Sequence, residues 1–239
     1  MFIPHATAIL LERIAANADQ PLVTVESWAA QLGSEPEVQL FVAQLQQEWL
    51  PFWIPNELCH EMMDYARHHL GWYQGWIPLW AHILRVTATV LTLAPEADVE
   101  REHAFMLGLF HDIGKLDEMN GGASHESSGA QIARQRLTGR YDSSAVDLIS
   151  RVIGKKASPS HPYARLLHDA DKLDKIGATG VLRRLTTDYG VLNPLAALRR
   201  VHMDVESFPP MHFPTSRQMG ESKQHFTREF LARFRGIPE

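Results

Sequence analysis

Apolar residues recur at three- and four-residue spacing along almost the whole chain, and this helical period constrains the fold more than any other feature. It predicts helices over 38–50, 76–94, 101–116, 125–137, 144–153, 163–173, 194–205 and 217–234. Short valine runs occur, but none alternates at period two beside turn residues, as a strand would. We therefore predict an all-α fold.

The composition indicates a folded protein that does not bind polyanions through bulk charge. Of the 239 residues, 45% are apolar, and the formal net charge is −5 with histidine neutral. A negative balance argues against nucleic acid or an anionic membrane surface as the partner. No run of eighteen apolar residues is present, so we expect no transmembrane helix.

The cysteine and histidine content indicates the cellular compartment and the kind of metal site that the chain could form. The single cysteine, Cys59, cannot form an internal disulfide, and the N-terminus lacks the pattern of a signal peptide. We therefore expect a cytoplasmic protein. Thirteen histidines beside one cysteine indicate that any metal site uses imidazole and carboxylate ligands rather than thiolate.

The chain divides by composition into an N-terminal helical extension, 1–50, and a main domain, 51–239. Residues 23–45 have a weak helix-turn-helix pattern. The segment is not basic, whereas a phosphate-binding reader usually is. We interpret it as a helical extension that packs on the main domain.

The segment LFHDIGKLD, 109–117, places polar residues in an apolar helical pattern. On a continuous helix, His111 and Lys115 share a face, with Asp112 beside them. Burying such a pair without partners costs several kcal/mol, and a bound cation would supply the partner. Gly114 would then leave room for a ligand to approach. Alternatively, the motif is a helix C-terminus, where cationic side chains and a glycine are common. These five residues alone leave both interpretations open.

Three further segments carry similar residues, and each has a simple structural explanation on its own. His82 in WAHILRV could be a hydrogen-bonded core histidine. Glu126 in HESSGA suits the start of a helix, with Ser124 as the N-cap. The carboxylates of HDADKLD, 168–174, repel one another unless positive charge is near, and neighbouring lysines could supply that charge.

Taken in order along the chain, these segments resemble the HD-domain metal-dependent phosphohydrolase superfamily. The matching elements are HxxRV at His82, HDIGK at 111–115, HExxGA at 125–130 and DADKLDKIGATG at 169–180. The resemblance implies an HD-domain-like helical bundle. It also implies a divalent cation bound by a residue set carried over from the family motifs: His82, His111, Asp112 and Asp171.

The resemblance leaves some ligands open. Helical periodicity does not choose between Asp169 and Asp171, whereas the family pattern selects Asp171. We expect Asp174 to bond a neighbouring backbone group or an arginine. His125 matches a position that ligates a second metal or contacts phosphate. The family's further histidine is replaced by GKKASP, with Lys155 and Lys156, so we expect one cation, with a second site in doubt.

The resemblance implies hydrolysis of a phosphate ester of a nucleotide or small phosphorylated metabolite by metal-activated water. Lys115 and His125 would bind the phosphate, and Asp112 or Glu126 would receive the proton of the water. Manganese, iron, magnesium, zinc, cobalt and nickel are not distinguished. Two alternatives are a di-iron HD-type oxygenase and a non-catalytic nucleotide-sensing module. A homo-oligomer is left open.

Overall fold

The computed structural model describes residues 36–48, 50, 52–70, 77–186 and 194–233. Within these ranges the secondary structure is helical, with no strand, which confirms the all-α prediction. The helices are α1 (Pro36–Glu48), α2 (Glu57–Leu70), α3 (Ile77–Ala97), α4 (Arg101–Phe110), α5 (Lys115–Met119), α6 (His125–Leu137), α7 (Ser143–Ile153), α8 (Pro162–Leu173), α9 (Gly177–Thr186), α10 (Pro194–Glu206) and α11 (Pro214–Ala232).

Three features of the helical pattern differ from the sequence prediction. The helix predicted over 101–116 is interrupted, because α4 ends at Phe110 and α5 begins at Lys115. Helices α2 and α9 were not predicted. The buried residues of α2 do follow three- and four-residue spacing, but cysteine and alanine make this a weak apolar stripe; they are Cys59, Met62, Ala66 and Leu70.

The chain forms two compact units. The first contains residues 1–49, 74–82 and 172–239, and the second contains 50–73 and 83–171. Helices α3 and α8 each contribute residues to both units. The expected boundary between an extension, 1–50, and a main domain stays a prediction. Residues 1–35, including most of the weak helix-turn-helix pattern, lie outside the described residues.

In the first unit, α9 packs against α1, α10 and α11. One apolar cluster joins these four helices: Phe41, Leu45, Ala178, Val181, Leu185, Ala197, Leu198, Val201 and Leu231. The rings of Phe226 and Phe230 lie 6.0 and 5.7 Å from the ring of Phe41. The described end of the N-terminal segment is therefore part of a core.

The last residue of α1, Glu48, places a carboxylate at the start of α9. It accepts hydrogen bonds from the backbone N–H groups of Ala178 and Thr179, at 2.8 and 2.9 Å, and from Lys223 Nζ at 2.7 Å. Gly177 has φ +78, and a Cβ there would lie 2.7 Å from the carboxyl carbon of Glu48. The carboxylate therefore caps α9 from a distant part of the sequence, and glycine makes room for it.

Burial alone would raise the pKa of Glu48, but the charge of Lys223 and the hydrogen bonds from Lys223 and Thr179 outweigh it. The net result is a pKa below the ordinary carboxyl value. Glu48 is therefore ionised at neutral pH and forms a buried ion pair with Lys223. An ionised carboxylate suits the positive end of the α9 dipole.

The second unit is built around α4. Residues 104–110 of α4 are all buried, as expected for a helix that is apolar on every side. Helices α2, α6 and α7 pack against it. The ring of Phe110 lies 6.5 Å from that of Tyr65, so the residue before His111 is part of the aromatic core of this unit.

None of the described helices is both long and apolar enough to cross a bilayer.

Replacing Glu48 with alanine should destabilise the first unit, because Lys223 and two backbone N–H groups would lose their buried acceptor. Removing one partner of a buried ion pair costs about 3–5 kcal/mol. Denaturant unfolding should show this loss. As a control, Asp147→Ala removes an exposed partner of Arg134 and should cost under about 1 kcal/mol. Equal costs for the two variants would contradict the capping role of Glu48.

Candidate metal centre

The HDIGK motif lies in the turn that ends α4. The backbone N–H of His111 still donates to Leu107, at 3.1 Å, but residues 111–114 form a turn rather than a continuous helix. The expected shared helical face of His111 and Lys115 is therefore wrong, and the alternative, a helix C-terminus, describes the local structure. His111 and Asp112 are nevertheless only 7% and 8% exposed, far more buried than ordinary helix-end residues.

The imidazole of His111 has a fixed orientation. Its Nδ1 lies 2.7 Å from the carbonyl oxygen of Gly108, and a carbonyl only accepts, so Nδ1 carries the proton. The lone pair therefore lies on Nε2, which is 3.9 Å from Oδ2 of Asp112. This is the tautomer that a metal-binding histidine needs.

Asp171, on α8, is the second carboxylate beside His111. A ring nitrogen of His111 and a carboxylate oxygen of Asp171 lie within 4.8 Å of each other. Asp169 is fully buried, and its Oδ1 lies 3.2 Å from Nδ1 of His168. The choice of Asp171 as a ligand stays a prediction, which its proximity to His111 supports.

His125 lies on the other side of Asp112, at the start of α6. Its Nε2 is 3.6 Å from Oδ1 of Asp112 and 3.2 Å from Oε1 of Glu126. Ser124 caps the helix, because its hydroxyl accepts from the N–H of Ser127 at 3.3 Å, as predicted. The structure thus brings His111, Asp112 and His125 together in the second unit.

Lys115 contacts a partner that the sequence reasoning missed. Its ammonium donates to Glu118 Oε2 at 3.0 Å and lies 2.9 Å from His125 Nδ1, which is itself 2.9 Å from the Glu118 carboxylate. The hydrogen bonds from His125 and Lys115 lower the pKa of Glu118 to about 2. The i,i+3 spacing in KLDEM was the available signal for this pair.

Glu118, His125 and Glu126 offer ligand atoms within 4.8 Å of one another, and lysines pair with both carboxylates. Glu126 forms an ion pair with Lys155, whose hydrogen bond lowers the pKa of Glu126. Lys155 has φ +54, which places a non-glycine residue in the left-handed region. The ammonium group of Lys155 thus pairs with Glu126. Lys155 belongs to the segment in which the family resemblance implies a histidine.

Gly114 serves helix packing rather than ligand access, contrary to our expectation. A Cβ at this position would collide with the carbonyl oxygen of His125, and would lie 2.6 Å from Gly129 N and 2.8 Å from Ser128 Cβ. The turn after α4 therefore lies directly against the backbone of α6. This close contact brings His125 to the same side of the unit as Asp112.

His82 belongs to the first unit and is fully buried. Its Nδ1 lies 2.7 Å from Oδ2 of Asp174 and 3.1 Å from Nη1 of Arg183. Asp174 was expected to bond an arginine or a backbone group. Arg183 is indeed near, at 3.6 Å, but the shorter contact to His82 was not anticipated.

The comparisons with known proteins agree with the motif pattern. The family model described as HD domain matches residues 79–176. Residues 79–176 are therefore similar to HD domains. All seven predicted site residues lie within the matched range: His82, His111, Asp112, Lys115, His125, Glu126 and Asp171.

The similarity to solved structures extends beyond residues 79–176. A predicted HD superfamily hydrolase from an uncultured Thermotogales bacterium is 28% identical, with a TM-score of 0.56, and the match covers 73% of this chain and 90% of that one. Bacillus subtilis YpgQ, solved in complex with ADP, is 17% identical, with a TM-score of 0.56 and coverage of 75% and 99%. The described part of the chain therefore has the helical fold seen in HD superfamily hydrolases.

A relative in Clostridium beijerinckii, an uncharacterized protein, is 28% identical over 99 residues. The match covers 40% of this chain and 63% of the relative, so it spans less than two thirds of the relative's length.

Replacing Gly114 with alanine should destabilise the second unit, because the new Cβ would push α6 away from the turn. Overpacking of this kind typically costs about 1–3 kcal/mol, and chemical denaturation would measure it. Gly121→Ala is the matched control. A Cβ at position 121 would meet no atom within 4 Å. Because this residue has φ +80, alanine there should lower the free energy of unfolding by roughly 1–2 kcal/mol through backbone strain alone.

Chemical shifts of the His125 ring separate the two effects. They should move in Gly114→Ala and stay unchanged in Gly121→Ala. An unmoved His125 ring in Gly114→Ala would contradict the packing role.

Proposed function

We propose that this protein is a metal-dependent phosphohydrolase that acts on a phosphate ester of a nucleotide or small phosphorylated metabolite. The observation that carries the proposal is the arrangement at the end of α4. There Nε2 of His111 lies 3.9 Å from Oδ2 of Asp112, and a carboxylate oxygen of Asp171 lies within 4.8 Å of a nitrogen of the His111 ring. His125 Nε2 lies 3.6 Å from Oδ1 of the same aspartate.

The donor set fits a divalent cation. One imidazole nitrogen and two carboxylates suit manganese, iron, zinc, cobalt, nickel or magnesium. We propose His82 as the fourth ligand, on the strength of its motif. When bound, the cation would polarise the phosphoryl group and acidify water.

We propose distinct roles for the remaining residues. Lys115, with His125, binds non-bridging phosphate oxygens and stabilises the charge that develops on them. Glu126 is ionised at neutral pH, because its pKa is lowered by Lys155, so it can accept a proton from the attacking water. Asp112 is the alternative acceptor.

Two observations favour one catalytic cation over two. Lys155 pairs with Glu126, and Lys115 pairs with Glu118. Ammonium groups therefore neutralise the carboxylates of the neighbouring cluster, where a second cation would otherwise bind. A di-iron oxygenase requires that second site, so hydrolysis is the function we propose.

Metal content and hydrolysis measured on the same preparation test the proposal. We expect about one equivalent of metal per chain. After chelation, hydrolysis should return with manganese or cobalt on a panel of nucleoside monophosphates, ADP and a diester. ADP belongs on the panel because YpgQ, which shares the fold, was solved with it. A chain that binds none of these cations would overturn the proposal.

His111→Ala and Asp112→Ala should each strip the metal and abolish turnover, while the helical circular dichroism stays largely intact. Both residues lie in the turn after α4, outside the helices, so their replacement should leave most of the helical signal in place. Elemental analysis and turnover measure the effect. His225→Ala, at a 75% exposed side chain on α11, is the control and should keep both. Full activity in either test variant would refute the assignment.

Lys115→Ala should keep the metal but lower kcat. It removes the ammonium group that binds the phosphate and leaves every proposed metal ligand in place. One lost charge stabilisation of this kind typically costs about 10²–10³ in kcat. Glu118→Gln is the matched control, since it breaks the same ion pair but leaves the lysine in place. If both variants lost the same rate, the ion pair rather than the ammonium would matter. Loss of metal in Lys115→Ala would also contradict the role.

A further inference from the structure

We infer that Asp174 is a positioning residue, which fixes the ring of His82 in the tautomer that binds the catalytic cation. The inference rests on the proposed function and deepens it, because Asp174 itself contacts no substrate. Its basis is the 2.7 Å contact between Asp174 Oδ2 and His82 Nδ1. Within the first unit, these two side chains are 5% and 0% exposed.

Asp174 and Arg183 both lie close to Nδ1 of His82, and the distances decide which of them shares its proton. Arg183 Nη1 is 3.1 Å away and could donate only if Nδ1 were unprotonated. In that case the lone pair of Nδ1 would face the Asp174 carboxylate oxygen at 2.7 Å with no hydrogen between them, which is repulsive. Nδ1 therefore carries the proton and donates it to Asp174. Arg183 lies 3.6 Å from the same carboxylate oxygen and pairs with it electrostatically.

The tautomer has a direct chemical consequence. With the proton on Nδ1, the lone pair of the ring lies on Nε2, the nitrogen opposite the carboxylate. Hydrogen bonding from a metal-binding histidine to a carboxylate fixes the ring and makes the other nitrogen a stronger electron donor. Loss of such a carboxylate typically lowers metal affinity about 10–100-fold.

Asp174 is close in sequence to a proposed metal ligand. It comes three residues after Asp171 and directly follows the last residue of α8. Arg183 lies on α9, whose start is capped by Glu48. The DADKLD segment would thus supply both a carboxylate for the cation and a carboxylate for a histidine.

The test is Asp174→Asn, which keeps the side-chain shape and removes its charge. Asp204→Asn is the matched control. Asp204 is another little-exposed aspartate of the first unit, paired with the next residue of α9, Arg184, at 2.7 Å. Arg183→Gln separates the contribution of the arginine from that of the histidine contact. Thermal unfolding of each variant shows whether it folds.

Titration of cobalt or manganese into chelated protein is the first readout. We expect Asp174→Asn to bind about 10–100-fold more weakly than the unsubstituted chain, and Asp204→Asn to bind equally well. Unchanged affinity in Asp174→Asn would overturn the inference and leave the proposed function standing. An equal loss in Asp204→Asn or in Arg183→Gln would also overturn it, because the effect would then belong to the arginine pairs or to general destabilisation.

Nitrogen-15 spectroscopy of the metal-free protein is the second readout, independent of cation binding. The His82 ring should show a protonated Nδ1 and an unprotonated Nε2, and Asp174→Asn should shift this balance while Asp204→Asn does not. A protonated Nε2 in the unsubstituted chain would overturn the inference. Absence of cation binding in the unsubstituted chain would overturn the proposed function, and with it the metal role of Asp174.

Discussion

The second unit depends on burying a polar turn at the end of an apolar helix. Helix α4 is buried on all sides from Ala104 to Phe110, and His111 and Asp112 follow at once with almost no exposure. Such burial is unfavourable unless each polar atom has a partner. The carbonyl of Gly108 takes the Nδ1 proton of His111, and the close approach of Gly114 to α6 brings His125 beside Asp112. The candidate site is therefore a consequence of how the helix ends.

Sequence periodicity predicted most of the helices because they bury one face, but it missed the break in the helix that carries the motif. Apolar Ile113 and Leu116 continue the helical spacing through the turn, and both are buried, so the pattern does not change where the backbone does. Gly114 and the cationic side chains near it were the local signals, and the meaning of the glycine came from the contact with α6. A contact between segments distant in sequence leaves no mark on local spacing.

The chemical character of the site was easier to predict than its connections. Motif order identified the residue types, and the HD domain match covers all of them. The partner of Lys115 had a local signal, because Glu118 follows it at i,i+3 spacing. The partner of Glu126 had none, because Lys155 looks like an ordinary surface charge in the sequence. These two residues are 29 positions apart, so their pairing depends on tertiary packing rather than on helical period.

Two histidines of the matched segment, 79–176, have different partners at Nδ1. His111 donates to the backbone carbonyl of Gly108, whereas the proton of His82 faces the carboxylate of Asp174. A carbonyl fixes ring orientation with little charge, whereas a carboxylate also increases electron donation by the opposite nitrogen. The ring of His82 would therefore be the stronger electron donor of the two. The stronger one would be held by the DADKLD segment, which also supplies Asp171, so this segment would govern both the charge and the strength of the metal site.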